Sequence, residues 1–485
     1  TERSRVVADR NGSMEKALLE KNASLEGQQS KVRILGKMVS GKKSEQVSVP
    51  DKGTTIIAKV KPSLKERGNN GARRKEYFNL ETCHHDIYPD AAEFKVEEGK
   101  KIRTTDCIRY EFIPPRFIKH IYHQHYYACK GTVYAGSLPA VPLLNSNYDA
   151  SFIAGILQLR YIYSMPVERI IKLFAEHGFE MNKATAHGLI KKAAGLFDLV
   201  EDVLKETVLS DNYLSMDESY YTVLTSDTNN PSGKSTAKGY IWAALANHLK
   251  LVHFFYENGS RSRKVLTGYL REDYRGAIQS DGLGNYKIIE KEAYPDAIRL
   301  SCFQHCKRKF LNITGNKDAE KIVRIINRLY QNEHRIPPDW TACQILDYRN
   351  KYAPPILKEL KEELINIKNK KSTLPKSELS KAINYTLNEY DALCNYIRSA
   401  DYAPDNNAIE RLMRCISLSR RNSLFCGSHQ GAKRAALIYS LACSCRLNNI
   451  NSFEYFKDLL TKLIDINPNT DHETIRNLLP HKWQR

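Results

Sequence analysis

Residues 213–224 read YLSMDESYYTVL, and the fold turns on how this stretch is read. Its aromatic and β-branched content is that of a strand. Asp217 sits in its middle, where a charged side chain is disfavoured unless it has a task or a partner. Downstream, GYIWAALAN and LVHFFYE are two further apolar runs joined by a tight Asn-His-Leu-Lys link. Arg263–Tyr274 has helical spacing through Val265, Leu266, Tyr269 and Leu270. GAIQSDG reads as a fourth strand, followed by a short helix at Asn285–Ala293. AIRLSCF reads as a fifth strand and leads into the helix HCKRKFLNIT.

The order β-β-β-α-β-α-β-α is that of an α/β, ribonuclease-H-like core, a mixed sheet sandwiched by helices. AEKIVRIINRLYQNEH, WTACQILDYRNKY, PPILKELKEELINIKN and SELSKAINYTLNEYDALCNYIRS then read as an all-α insertion. It separates the fifth strand from a Pro-Asp-Asn-Asn turn at residues 404–407 that starts another helix. Two more helices close the chain.

Upstream, Pro166 opens VERIIKLFAEHG in the first-turn position, Gly178 closes that helix, and Asn182 caps KATAHGLIKKAAGLF. Two helices with a short Gly-containing turn form a helix-turn-helix-like pair. Lys183, His187, Lys191 and Lys192 on its second helix suit DNA contact, or the pair simply packs as scaffold. Residues 77–144 alternate aromatic and polar positions, as a small β-rich module would. That module holds Cys83, His84, His85, Cys107, His120, His123, His125 and Cys129, without the tight C-x₂-C pair of a structural zinc site, so zinc is not expected. Within residues 1–76, Leu18, Leu25, Val32 and Val39 recur every seven residues, as on one seam of a coiled coil or one face of a solvated amphipathic helix. A flexible basic linker follows at 40–76. The expected divisions are therefore 1–76 basic helix and linker, 77–145 small β-rich module, 146–210 helical DNA-binding region, 211–315 first part of the core, 316–402 insertion, and 403–485 catalytic helix and helical closure.

The 485 residues carry 74 Lys+Arg against 55 Asp+Glu, a net charge of +19. Nearly half of that excess, +9, lies in residues 1–76. A pI near 9.3 favours a polyanionic partner, nucleic acid first. The 42% hydrophobic and 27% charged content excludes a disordered, collagen-like or low-complexity chain. No apolar run approaches the roughly 18 residues of a membrane span, and no secretory signal is expected. Eleven scattered cysteines fit a reducing compartment better than a disulfide framework.

Three acids sit where chemistry would need them: Asp217 in the first core strand, Asp281 ending the fourth, and Glu410 on the helix after the insertion. Adjacent strands bring the first two side by side, and a helix laid across the sheet adds the third. Hard divalent ions take oxygen ligands, and such a site supports phosphoryl transfer. Each acid also has a plain reading. Glu218 follows Asp217, so the functional acid is either one. Asp281-Gly282 is a common turn dipeptide. Glu410 stands four residues before Arg414, as in a helix-surface ion pair. Between residues 411 and 434 stand Arg411, Arg414, Arg420, Arg421, Lys433 and Arg434 with no acid, a zone suited to phosphates. His305, Lys307, Arg308 and Lys309 form a second basic cluster, and the nearby Cys302, His305 and Cys306 read as simply buried.

MDES, KGYIWAALAN, QSDGLGNY, CFQHCKRKF, LPKSELSKAINYTLNEYDAL, DNNAIERLMRCISLSRRNSLFCGS, GAKRAALIYSLACSCRLNNINSFEYF and LLPHKW closely resemble, in order, the motif blocks of insertion-sequence-66-type transposases. The resemblance covers most of residues 148–485. It implies a DDE-type transposase in which Asp217 of MDES, Asp281 of QSDG and Glu410 of DNNAIER are the catalytic, metal-binding triad. It further implies Mg²⁺, with Mn²⁺ able to substitute, hydrolysis at the element's ends, and attack of the freed 3′-hydroxyl on target DNA. Double-stranded DNA, further copies of the chain and small accessory proteins of the element are the implied partners, in the bacterial cytoplasm at the nucleoid. Phosphate contacts are expected from Lys307, Arg308, Arg411, Arg414, Arg420 and Arg421. Many relatives carry a zinc-finger-like C-x₂-C pair upstream, which this chain lacks. A catalytically silent DNA-binding derivative, or a structure-selective nuclease on the same fold, are the competing readings.

Overall fold

Five strands form one mixed sheet in the order β5-β4-β3-β6-β7. The strands are β3 (Tyr213–Leu224), β4 (Thr236–Ala246), β5 (Leu251–Phe255), β6 (Ala277–Gln279) and β7 (Ile298–Leu300). The computed structural model describes residues 116–129, 132–144, 146–224, 236–282, 284–287, 294–467 and 469–484. The heptad Leu18–Val39, the basic linker, and Cys83, His84, His85 and Cys107 lie outside the described residues. A hairpin, β1 (Tyr126–Cys129) and β2 (Thr132–Ala135), falls within the module read as β-rich. His120, His123 and His125 are exposed there.

β3 pairs antiparallel with β4 over its whole length, and β4 with β5. β6 and β7 run parallel to β3. β5 and the second half of β4 are buried at every position, which is why they read as unbroken apolar runs. Each outer strand has its free edge covered. Ser440 and Ser444 of helix α11 (His429–Leu447) accept from the N–H groups of Phe254 (2.7 Å) and Val252 (3.0 Å) on β5. On β7, Asn395 Nδ2 donates to Arg299 O across 2.9 Å. An unpaired edge would otherwise invite another strand.

Helices α1 (Ala150–Leu157), α2 (Val167–Glu176) and α3 (Lys183–Leu209) precede the sheet. Asn182 caps α3 by accepting from Thr185 N at 2.7 Å, and Gly178 turns the chain with φ of +81°. The helical pair is therefore present, but its second member runs for 27 residues. Its later turns bury Phe197, Val200, Val203, Leu204 and Val208, so this part of the helix is scaffold. α4 (Arg263–Tyr269) is shorter than its spacing suggests, and the helix expected at Asn285–Ala293 is a 3₁₀ turn at Gly284–Lys287, with 288–293 outside the described residues.

One hydrophobic core joins α1–α3, the sheet, α10 (Asn407–Asn422), α11, α12 (Ser452–Lys462) and α13 (His472–Arg476). A second core belongs to α5 (Phe303–Leu311), α6 (Lys317–His334), α7 (Ala342–Lys368), α8 (Glu378–Asn388) and α9 (Tyr390–Cys394). WTACQILDYRNKY and PPILKELKEELINIKN, which read as two helices, are one, α7, despite Pro354 and Pro355 inside it. Two lost amide donors are outweighed by the buried row Ala353, Ile356, Leu357, Leu360 and Leu364. Conversely, the stretch from Ser377 breaks at Glu389 between α8 and α9. The buried Glu389 carboxylate takes Arg299 Nη1 at 2.5 Å, Ser301 Oγ at 3.1 Å and Lys287 Nζ at 3.0 Å, which ties the insertion to β7. Among the described residues no helix is long and apolar enough to cross a membrane.

Candidate active site

β3 and β6 are in parallel register, Ser215 opposite Gln279. Two residues beyond that pair, counted along each chain, come Asp217 and Asp281. Burial raises the Asp217 carboxyl well above the ordinary range, and the carboxylates of Glu218, Asp281 and Glu410 push it further. The N–H of Glu218, donating to Asp217 Oδ1 at 2.9 Å, works the other way.

Glu218 is differently placed. Its Oε1 accepts from Arg261 Nη2 (2.6 Å) and Nε (3.0 Å), and its Oε2 from the Tyr286 hydroxyl (2.9 Å). Burial raises its pKa, and Arg261 is the largest opposing influence. Of the two adjacent acids, Glu218 is satisfied by side chains and Asp217 is surrounded by other carboxylates.

Glu410 lies in the first turn of α10, where the helix dipole favours a negative charge. The start of that helix is fixed to β3. Asn406 Nδ2 donates to Met216 O at 2.9 Å, one residue before Asp217. Asn406 N donates to Cys302 Sγ at 3.3 Å, which ties in the start of α5 as well. From α5, His305 Nδ1 stands 3.5 Å from Glu410 Oε1, and Arg308 Nη2 stands 3.7 Å from Glu410 Oε2. Glu410 Oε1 is buried and makes no hydrogen bond.

Among the described residues, one trio of metal-capable side chains has ligand atoms all within 4.8 Å of one another: Cys302, His305 and Glu410. Of the acids, Asp281 and Glu410 are both near enough to act on the charge of Asp217. Cys302 and Cys306 are both buried, as read from the sequence, and Cys306 lies in the second core with Phe303 and Phe310. Burial pushes the Cys302 thiol up to about 12.

The basic residues divide by element. Lys183, His187, Lys191 and Lys192 are exposed on the first half of α3, with Lys183 paired to Glu168. Burial, then Arg160 and Lys183, lowers the His187 pKa. Lys307 lies over the Tyr330 ring, 5.6 Å from its centroid. Arg411, Arg414 and Arg421 are exposed on α10. Arg420 instead turns onto β3, donating to Tyr220 O at 2.7 Å and stacking on the Tyr220 ring at 3.6 Å.

Arg261, Tyr286, Asn406 and Tyr385 are further neighbours of the site that their sequence does not mark as such: the hydrogen bonds of Arg261 and Tyr286 to Glu218, of Asn406 to Met216 and of Tyr385 to Gly282 each join residues 43 or more apart in the chain. The Tyr385 hydroxyl accepts from Gly282 N at 3.1 Å.

A family model described as "Transposase IS66 family" matches residues 145–434. The chain is 26% identical over 371 residues to "Uncharacterized protein y4jD" of Sinorhizobium fredii, covering 74% of this chain and 70% of that protein. It is 23% identical to "Uncharacterized protein y4qI" of the same organism, covering 76% and 69%. Among solved structures, the "Drosophila P element transposase strand transfer complex" matches 61% of this chain and 92% of its own at 11% identity and a TM-score of 0.30, a likeness too slight to relate the two folds.

Proposed function

The chain belongs to the IS66 family of transposases, and from that premise we propose that Asp217, Asp281 and Glu410 are the acidic triad of a DDE transposase. The mixed sheet is then a ribonuclease-H-like core, with β3, β4, β5, β6 and β7 as its five strands in turn. The reading rests on one observation above the others. Two acids 64 residues apart in sequence stand equally far beyond a shared strand register, and a third, from beyond the insertion, acts on the charge of the first.

The residues present fit a hard divalent cation. All three offer carboxylate oxygens, Asp217 is burdened by like charge, and Glu410 Oε1 has no hydrogen-bond partner. Asp217, Asp281 and Glu410 would hold Mg²⁺, or Mn²⁺ in its place. Such an ion, when bound, supplies an activated oxygen nucleophile and stabilisation of the leaving oxygen. The chain's own residues do the rest. Asn406 sets Glu410 against β3, and Arg261 with Tyr286 holds Glu218 out of the ligand set. Arg308, Arg411, Arg414 and Arg421 bind phosphates of the DNA, joined by Lys307, while Arg420 holds α10 to β3 and Lys183, His187, Lys191 and Lys192 contact the duplex from α3.

In the first reaction water attacks a phosphodiester at the element's end and a 3′-hydroxyl leaves. In the second that hydroxyl attacks a target phosphodiester, one P–O bond forming as another breaks. Pairing two ends calls for a homo-oligomer, assisted by the element's small accessory proteins, at the nucleoid in the cytoplasm. The test is release of a 3′-hydroxyl end from duplex DNA carrying the element's terminus. It should require Mg²⁺ or Mn²⁺ and vanish in Asp281→Asn while end binding persists. Cleavage by Asp281→Asn at the wild-type rate would remove Asp281 from the site.

A further inference from the structure

Glu410 faces two sets of side chains. Besides the acids of the sheet, Cys302 and His305 approach it, with one ligand atom from each of the three inside 4.8 Å. The two residues are three apart across the start of α5, which puts them on one side of its first turn. His305 Nδ1 and Glu410 Oε1 are both buried and both lack a hydrogen-bond partner, although only 3.5 Å separates them. Buried polar atoms are ordinarily satisfied, so two facing orphans are open to a shared partner. Their spacing is close to the roughly 3.3 Å between two ligands on one tetrahedral ion with bonds of about 2.0–2.1 Å.

We propose that Cys302, His305 and Glu410 form a site for a thiophilic divalent cation, Zn²⁺ in type, with solvent as the fourth ligand. A thiolate, an imidazole and a carboxylate are the donors that such an ion prefers and that Mg²⁺ does not. On binding, the Cys302 S–H proton passes to solvent and an S–metal bond forms. Thiolate and carboxylate then cancel the charge of the ion, so Arg308, 3.7 Å from Glu410, meets a neutral complex rather than a cation. Asn406 N–H, already donating to Cys302 Sγ, supports the sulfur from the second layer. The side chains of His305 and Glu410 are 27% and 24% exposed, so solvent and the ion can reach the site. Because Glu410 is shared, an ion here takes it from Asp217 and Asp281 and inhibits the Mg²⁺-dependent reaction. This last consequence rests on the function proposed above, whereas the site itself does not.

Co²⁺ titration of the full, metal-free chain tests the site without any activity assay. A thiolate-to-cobalt absorption band is expected, displaced by Zn²⁺ but not by Mg²⁺. Cys302→Ser should remove the Cys302 part of that band. Glu410→Gln and His305→Gln should weaken the binding by more than the ~10-fold that loss of a merely supporting partner costs. Cys306→Ser and Asp217→Asn should leave the band unchanged. A band unaffected by Cys302→Ser in a chain that keeps its circular dichroism would overturn the site, as would unaltered affinity in Glu410→Gln. If the band behaves as expected but Asp281→Asn still cleaves DNA, the thiophilic site stands and the triad reading falls.

Discussion

The N–H of Gly282 donates to the hydroxyl of Tyr385 across 3.1 Å, so the helical insertion rests on the turn that carries Asp281. A Cβ at Gly282 would come 2.6 Å from Tyr385 Cζ, so close approach is what demands glycine here. Gly282→Ala is therefore expected to destabilise the protein by roughly 1–3 kcal/mol, as overpacking does, and to impair DNA cleavage. Tyr385→Leu added to it should recover part of both losses. A double-mutant cycle in thermal unfolding and cleavage rate reads this. Additive losses would show that the two residues do not act on one another.

Glu218 and Asp217 are adjacent acids, both raised in pKa by burial, but with different partners. Glu218 takes three hydrogen bonds from Arg261 and Tyr286, so Glu218→Gln should cost about 1–3 kcal/mol in denaturant titration. Asp217 is repelled by three carboxylates, so Asp217→Asn should leave the metal-free protein as stable as before or more so. A large loss from Asp217→Asn would mean that its charge has a partner.

His253 sets an acid limit. It is buried on β5, its Nδ1 lies 3.0 Å from the Tyr269 hydroxyl, and burial, helped by Lys205 and Lys433, lowers its pKa from 6.5 to about 3. Between those values the unfolded chain holds a proton that the native chain refuses. Its contribution to stability is complete above pH 6.5 and is lost as pH falls towards 3, at up to about 1.4 kcal/mol per pH unit. His253→Gln should flatten that slope in pH-dependent unfolding, and an unchanged slope would place the acid sensitivity elsewhere.

The arginines of α10 should separate by function. Arg411→Ala and Arg414→Ala are expected to weaken DNA binding similarly for all sequences and to reduce the salt dependence by about one charge each. Arg420→Ala should instead lower the melting temperature, because Arg420 is bonded to Tyr220 O and stacked on that ring. Binding measured from low to moderate salt, beside thermal unfolding, distinguishes the two roles.

The five strands were legible because fully buried runs such as LVHFF leave no alternative to a sheet interior, and because Asp217 interrupts one of them. Helix limits inside the insertion were not. Pro354-Pro355 reads as a stop, yet tertiary burial of the leucines beyond it carries the helix through, whereas the break at Glu389 comes from a charge drawn to Arg299 on another element. The acids could be picked out one by one as oddities of their local sequence. Their contacts could not, since only the fold brings Arg261 and Tyr286 to Glu218 and Asn406 to Met216. Cys302, His305 and Cys306 read as simply buried, and only the docking of α10 brings Glu410 to the first two of them.

The central claim is that Asp217, Asp281 and Glu410 act together on DNA. Its most direct measurement is the transposition frequency of a marked element in cells supplied in turn with wild-type chain, Asp217→Asn, Asp281→Asn and Glu410→Gln at equal protein levels. Each substitution should reduce transposition to the background seen without the chain. Transposition at the wild-type frequency by any one of the three would contradict the claim.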